Sequence, residues 1–224
     1  MAIIDKNILG EITGKIGNLV IRKLNGKTVI ALRPAKYKAS QSTQAKFHRN
    51  RFAVTVKFAK YINSIKLLSQ IWAAAPIEGT SAFNRILKYN LPHSYNLYPS
   101  ENNIIIPSGY NLEVRNILYN KEKLNAEIIR KNHPPILTNL QDIVLFIVMV
   151  YYHTENENLN PYEMDHSAYQ INPAAVNSNY SVEINLNEKQ KSLLESYSNC
   201  NLYFAEVAGT GINTVWSSSI CKSV

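Results

Sequence analysis

Ile143-Val144-Leu145-Phe146-Ile147-Val148-Met149-Val150-Tyr151-Tyr152 is the longest apolar run in the chain, and Asp142 and His153 bound it. A helix that crosses a bilayer needs roughly 20 such residues, so this run is too short to span one. A short continuous apolar run rich in β-branched side chains is typical of a strand buried inside a protein. We therefore predict a buried strand here and expect no membrane partner.

Further β-type runs separated by turn residues surround this strand. In Val182-Glu183-Ile184-Asn185-Leu186 the apolar side chains alternate, which places them on one face of a strand. About seven short strands over roughly 115 residues predict an all-β sandwich of the immunoglobulin or fibronectin type. The other predicted strands are residues 104–106 with 111–117, 123–130, 168–171, 180–186, 201–207 and 214–221, and 209–211 would close the last hairpin.

Near the N-terminus, Asn25-Gly26 lies between two β-type runs, Leu19–Leu24 and Lys27–Leu32. This dipeptide is a strong hairpin signal because a type I′ turn needs positive φ at both central residues. A two-residue turn predicts Leu19 opposite Leu32, Ile21 opposite Ile30 and Arg22 opposite Val29.

The period of the apolar residues changes after Ser42. One helical stripe at 100° per residue contains Phe47, Val54, Phe58, Tyr61, Ile65, Leu68 and Trp72. This spacing predicts a long amphipathic helix over residues 43–72, with Ser42 or Thr43 as its N-cap. A shorter helix should follow, capped by Thr80 or Ser81, with Phe83, Ile86 and Leu87 directed inward.

Charge is distributed unevenly along the 224 residues. Residues 1–90 hold 16 Lys and Arg against three acidic residues, a net charge of +13, whereas residues 91–224 hold eight against 13, a net of −5. The balance changes within a stretch rich in Pro, Ser and Asn at residues 91–100. We therefore predict an α+β chain with two parts: a basic hairpin-and-helix assembly segment, 1–95, and a β-sandwich domain, 96–224.

Sequence motifs for catalysis, cofactors or metals are not evident. Gly10-x-x-x-Gly14-Lys15 has three residues between its glycines, whereas a P-loop needs four. His153, Asp165 and His166 can be assembled into a carboxylate–imidazole site, but a solvated polar loop is the interpretation we favour. We therefore expect no enzyme, no cofactor and no metal site.

Cys200 and Cys221 are too few for a disulfide scaffold. They can form one bridge between neighbouring strands or remain two buried thiols, and a reduced compartment favours the thiols. The first residues lack the basic and apolar regions of a secretory signal, so we expect synthesis in the cytoplasm.

Gly14-Lys15-Ile16-Gly17-Asn18-Leu19-Val20, with the preceding Gly10, and residues 25–34 resemble the N-terminal signature of an uncharacterised family, a domain of unknown function found in Bacteroidota and their phages. Residues 43–52 are similar to the basic helix of that family, and residues 201–204 and 213–219 resemble its closing strands. The resemblance supplies no catalytic residue and implies a structural role in a phage particle.

Together these patterns favour a non-enzymatic virion component, such as a connector, ring or tail protein, that is made in the host cytoplasm and forms homo-oligomers. Its expected partners are other copies of itself and neighbouring structural proteins. The alternatives are a nucleic-acid-binding module, a host-surface adhesin and, for location, the cytoplasm. The predicted contact residues are Arg22, Lys23, Lys27, Arg33, Arg49, Lys57 and Lys60.

Overall fold

The computed structural model describes residues 2–4, 13–24, 26–33, 39–129, 142–172, 179–209 and 214–224. The chain divides into two compact units, Met1–Ser42 and Thr43–Val224. This division differs from the boundary expected at residue 95, because the helices after Ser42 share a hydrophobic core with the strands that follow them.

The N-terminal unit is a four-stranded antiparallel sheet. Its strands are β1 (Ala2–Ile4), β2 (Gly14–Ile16), β3 (Leu19–Leu24) and β4 (Lys27–Leu32), in the order β1-β4-β3-β2. The hairpin of β3 and β4 has the predicted register, including the Ile21–Ile30 and Leu19–Leu32 pairs. The sequence did not predict β2, although Gly17 gives its signal: a φ of +55° lets Gly17-Asn18 turn tightly between β2 and β3.

The second unit begins with α1 (Thr43–Ser64), α2 (Lys66–Ala74) and α3 (Ala82–Asn90). The stripe predicted as one helix is therefore divided at Ile65, whose backbone is extended. The Ser64 hydroxyl donates to the Tyr61 carbonyl at 2.6 Å, and the Ile65 amide donates to Ile62 three residues back. A serine side chain that takes up a backbone carbonyl competes with the helical ladder, which explains the break.

The third helix follows the prediction closely. Ser81 is its N-cap, since the Ser81 hydroxyl accepts a hydrogen bond from the Asn84 amide at 3.2 Å. Ile86 is fully buried, and Phe83 and Leu87 pack partly buried against the same core.

The remaining elements are β5 (Glu113–Tyr119), β6 (Lys123–Ile129), β7 (Ile143–Tyr152), β8 (Tyr162–Ile171), β9 (Tyr180–Asn185), α4 (Glu188–Ser196), β10 (Asn199–Ala208), β11 (Val215–Trp216) and β12 (Ile220–Ser223). One sheet has the order β11-β10-β7-β8, with β12 also paired to β10, and the other has the order β5-β6-β9. The described residues thus form a mixed α+β fold with a β-rich part.

The apolar run at Ile143–Tyr152 is strand β7, as predicted, and alternate residues of it belong to two different cores. Phe146, Val148 and Val150 pack with the helices α1 to α3. Leu145, Ile147 and their odd-numbered neighbours pack with the β5-β6-β9 sheet. The helices therefore cover one face of the larger sheet, and the β5-β6-β9 sheet covers its other face.

Several local predictions differ from the structure. Residues 214–221, predicted as one strand, contain the separate strands β11 and the start of β12. Residues 104–106 are not a strand, although Ile105 and Ile106 are fully buried and the Trp72 indole donates to the Ile105 carbonyl at 2.9 Å. Strand β8 begins at Tyr162, well before the predicted residue 168. Helix α4 was not predicted, and a capping box of Asn187 and Gln190 starts it. In the described part of the chain, no helix combines the length and hydropathy needed to cross a bilayer.

The segment 91–103, which contains the predicted domain boundary, is held by a buried polar network. The Asn103 amide nitrogen donates to the Asn90 backbone and side-chain oxygens and to the Ser94 hydroxyl, at 3.0 to 3.1 Å. The Asn103 side-chain oxygen accepts from the Ser100 amide at 2.7 Å, and the Tyr203 hydroxyl donates to the Ser100 carbonyl. These bonds fix the segment onto strand β10.

Cys200 lies on β10 and Cys221 on the adjacent β12, and both are free thiols. Burial raises the pKa of both thiols, and that of Cys221 rises to about 12. Both cysteines therefore stay protonated at neutral pH, as weak nucleophiles.

Replacement of Asn103 by Ala should lower the free energy of unfolding by about 2–4 kcal/mol, because it leaves several buried polar groups without partners. Asn102→Ala is the matched control, since Asn102 is exposed and only its backbone amide is bonded, to Ser100. Chemical denaturation monitored by circular dichroism measures the free energy of unfolding of both variants. Equal stabilities for the two variants would contradict the network.

The native protein should react slowly with a thiol reagent at pH 8, because thiolate is the reactive form and the raised pKa values keep it scarce. Both thiols should become reactive in denaturant, and the native rate should still be rising above pH 9. Rapid native modification of two thiols at pH 8 would show that the thiols are accessible and ionised.

Candidate functional site: an apolar row on the N-terminal sheet

Three large apolar side chains form one row across the N-terminal sheet. Ile16 on β2 pairs with Leu19 on β3, which pairs with Leu32 on β4, and cross-strand partners share a face. All three are exposed, with 60%, 39% and 75% of their surface accessible. A sheet of such short strands has little apolar surface to bury within itself, so this row marks a surface that another molecule can cover.

Basic residues surround this row. Lys23 shares its face, two positions beyond Ile21, whereas Arg33, which follows Leu32 at the end of β4, belongs to the opposite face. Arg22 and Lys27 are exposed on the opposite face. The unit Met1–Ser42 contains eight Lys and Arg and two acidic residues, a net charge of +6.

The hairpin edges are not open to strand addition, because β1 covers β4 and β2 covers β3. Among the described strands of this sheet, the outer positions belong to the short strands β1 and β2 instead. The strongest binding feature of the unit is therefore its apolar row, which the sequence did not predict. Only the pairing of Leu19 with Leu32 was predicted, and the register of two strands does not show which face of the sheet is exposed to solvent.

The predicted contact residues of the helix behave differently from one another. Arg49 and Lys60 are exposed on α1. Lys57 contacts its own chain: its ammonium group donates to the Tyr162 carbonyl at 2.8 Å and lies 3.1 Å from a Glu163 carboxylate oxygen. It also lies 4.6 Å from the centroid of the Tyr162 ring. Lys57 thus joins α1 to β8 and is a weak choice for an intermolecular contact.

The apolar stripe of α1 packs in the core of its own unit with β7, β8 and β10, where Phe58, Ala59 and Ile62 are fully buried. Phe47 and Phe52, near the start of α1, are exceptions and stay exposed, at 40% and 49%, but they do not form a row across paired strands as the exposed residues of the N-terminal sheet do.

The carboxylate–imidazole grouping considered from the sequence is only partly assembled. Asp165 and His166 meet Tyr61, whose hydroxyl lies 2.9 Å from His166 Nδ1 and 3.5 Å from Asp165 Oδ1. The Lys189 ammonium group lies 3.4 Å from the same Asp165 oxygen. His153 is elsewhere, bonded to Asn199 at 3.2 Å. The group joins α1, β8 and α4, which is a structural role.

Burial sets the ionisation of this group. It raises the pKa of Tyr61, and the Asp165 charge adds to that effect. It lowers the pKa of His166, although the Asp165 charge acts in the opposite direction. Tyr61 and His166 are both neutral at pH 7 and above. Within the residues that the structure describes, no three His, Cys, Asp or Glu side chains come together as a metal site.

A shallow depression in the second unit has the complementary chemistry to the N-terminal sheet. Its volume is about 470 Å³, and it lies where the β7–β8 loop meets the end of α4. Glu155 supplies negative charge, as does Glu195, which also lies 3.8 Å from the exposed Lys121 ammonium group, and the half-exposed Leu159 supplies apolar surface. The C-terminal end of α4 adds the negative end of a helix dipole.

Comparison with known proteins gives no family. No family model matches the chain, and no curated protein matches it. Two solved structures of a beta-glucosidase from Kluyveromyces marxianus, one with glucose and one labelled with selenomethionine, are 13% identical, with TM-scores of 0.22 and 0.23. They align with 65% and 64% of this chain, which spans 18% of the glucosidase chain. Similarity this low indicates neither a shared fold nor a shared activity.

Proposed function

We propose that the protein is a non-enzymatic assembly protein that self-associates through its N-terminal unit. The observation that carries this proposal is the exposed row of Ile16, Leu19 and Leu32 on a unit of net charge +6. Exposed apolar surface that lies in one contiguous row, ringed by charge, is typical of a protein–protein interface.

The occupant of the row is a second copy of the chain, at the depression lined by Glu155, Leu159 and Glu195. Leu159 meets the apolar row there, and the two carboxylates meet Lys23 on the same face, with Arg33 beside them at the end of β4. This contact joins two different surfaces, so it is heterologous and repeats from copy to copy. Arg22 and Lys27, on the outer face, add to the field that steers one copy toward the next.

The setting of this assembly is a phage virion, with the protein as a connector, ring or tail component. The resemblance of residues 10–20, 25–34, 43–52, 201–204 and 213–219 to a family of Bacteroidota and their phages supports this setting. We also propose that the β-rich part is an immunoglobulin-like sandwich, because its two sheets pack face to face around one core.

Nucleic-acid binding is the second candidate. Arg22 and Lys27 favour it, because they are exposed together on the face opposite the apolar row. Binding to duplex DNA that weakens steeply with salt, and that Arg22→Glu with Lys27→Glu abolishes while self-association persists, would favour this candidate.

Ile16→Thr combined with Leu32→Thr should remove the apolar row while keeping β-propensity in both strands. We expect mass photometry of the full chain to show that the larger species of the wild type are lost in this variant. Leu118→Thr is the matched control, because Leu118 is equally exposed, at 66%, on β5 of the other unit. A wild type whose mass distribution equals that of the double variant at all concentrations would contradict self-association through the row.

A charge reversal tests the second half of the contact. Lys23→Glu with Arg33→Glu, and separately Glu155→Lys with Glu195→Lys, should each weaken self-association by roughly tenfold or more, because like charges then face each other. An equimolar mixture of the two variants should recover a pair, because the first variant keeps the wild-type depression and the second keeps the wild-type N-terminal sheet. No recovery in the mixture would place the basic residues at another surface.

A further inference from the structure

We infer that strand β8 carries a second self-association site, at which two copies join their larger sheets edge to edge around a two-fold axis. This site lies in the unit Thr43–Val224 and does not depend on the N-terminal sheet. It is formed by the backbone of Ala168 and Gln170.

The direction of the backbone groups of β8 follows from the neighbouring strands. Cys200 exchanges both backbone hydrogen bonds with Val224, so even-numbered residues of β10 face β12 and odd-numbered ones face β7. In the register of β10 with β7, the even-numbered residues of β7 therefore bond to β10 and the odd-numbered ones bond to β8. In the register of β7 with β8, the odd-numbered residues of β8 then direct their backbone N–H and C=O groups toward β7. The even-numbered residues of β8 direct their N–H and C=O groups away from the sheet.

Side chains already occupy the first half of this edge. The carbonyls of Tyr162, Met164 and His166 are the outward ones, and each accepts a hydrogen bond from a helix side chain. Lys57 donates to the first at 2.8 Å, Lys189 to the second at 3.4 Å and Gln190 to the third at 3.5 Å. Native edge strands are commonly guarded against pairing by such charged side chains.

The second half of the edge has no such guard among the described residues. Ala168 and Gln170 are exposed, and residues 167–171 include no charged side chain and no proline. An unguarded, uncharged edge presents donors and acceptors in the spacing that another strand needs.

The occupant that fits this edge is the same edge of a second copy. In an antiparallel pair centred on Tyr169, Ala168 lies opposite the partner copy's Gln170 and exchanges both backbone hydrogen bonds with it, and symmetry repeats the exchange. The long glutamine side chain then lies over the small alanine. The two half-buried Tyr169 rings approach each other on the other face, and no charges of like sign meet.

Two double variants at the same positions test this arrangement. Ala168→Lys with Gln170→Lys places like charges opposite each other and should raise the dissociation constant of the pair at least about tenfold. Ala168→Lys with Gln170→Glu is the matched control, because opposite charges then face each other across the two-fold axis, and the pair should be retained. Circular dichroism checks that both variants fold.

The measurements are made in the Ile16→Thr/Leu32→Thr background, so that the proposed contact of the N-terminal sheet is absent. Sedimentation velocity should then show a dimer that the Lys/Lys variant loses and the Lys/Glu variant keeps. A monomer in that background, at concentrations where the wild type is larger, overturns the β8 pairing and leaves the proposed function intact. A dimer whose mass equals that of the wild type overturns the N-terminal contact and leaves the β8 pairing intact.

Amide exchange followed by NMR gives an independent readout. The amides of Ala168 and Gln170 should exchange more slowly as protein concentration rises, whereas the Tyr169 amide, which bonds to β7, should be protected throughout. Exchange at Ala168 and Gln170 that does not depend on concentration overturns the inference.

Discussion

The burial of strand β7 on both faces is the constraint on which the second unit depends. Even-numbered side chains such as Val148 need one apolar cover and odd-numbered ones such as Ile147 need another. One layer covers only one face of a strand, so two covering layers are needed. Helices α1 to α3 supply one and the β5-β6-β9 sheet supplies the other, and each Å² of apolar surface they bury contributes about 25 cal/mol.

This constraint also explains which features of the fold the sequence predicts. The turn at Gly26 and the run at Ile143–Tyr152 are local signals, and the structure has the hairpin register and the buried strand they predict. The apolar stripe after Ser42 indicates helix correctly as well. The local sequence does not determine which element covers this stripe, because the same stripe can pack on a neighbouring subunit or on a sheet of its own chain. Here it packs on the sheet that contains β7.

The candidate site could be predicted only in part for the same reason. Periodicity gives the face of a side chain but not whether that face is covered, so the exposure of Leu32 was not visible in the sequence. Net charge describes the N-terminal region as a whole, so it did not separate Lys57, which contacts Tyr162, from Arg22, which is exposed. The break at Ile65 depends on one serine hydroxyl, and periodic patterns do not record such a bond.

The two proposed contacts differ in symmetry, and this difference determines what they can build. A contact between the apolar row and the depression at Glu155 joins unlike surfaces, so it repeats from copy to copy and closes a ring or extends a filament. A contact between two β8 edges joins like surfaces and stops at two copies. Together the two proposed contacts would give each copy three neighbours, two through the repeating contact and one through the β8 edge. Each contact can form without the other, and effective concentration strengthens each in the presence of the other.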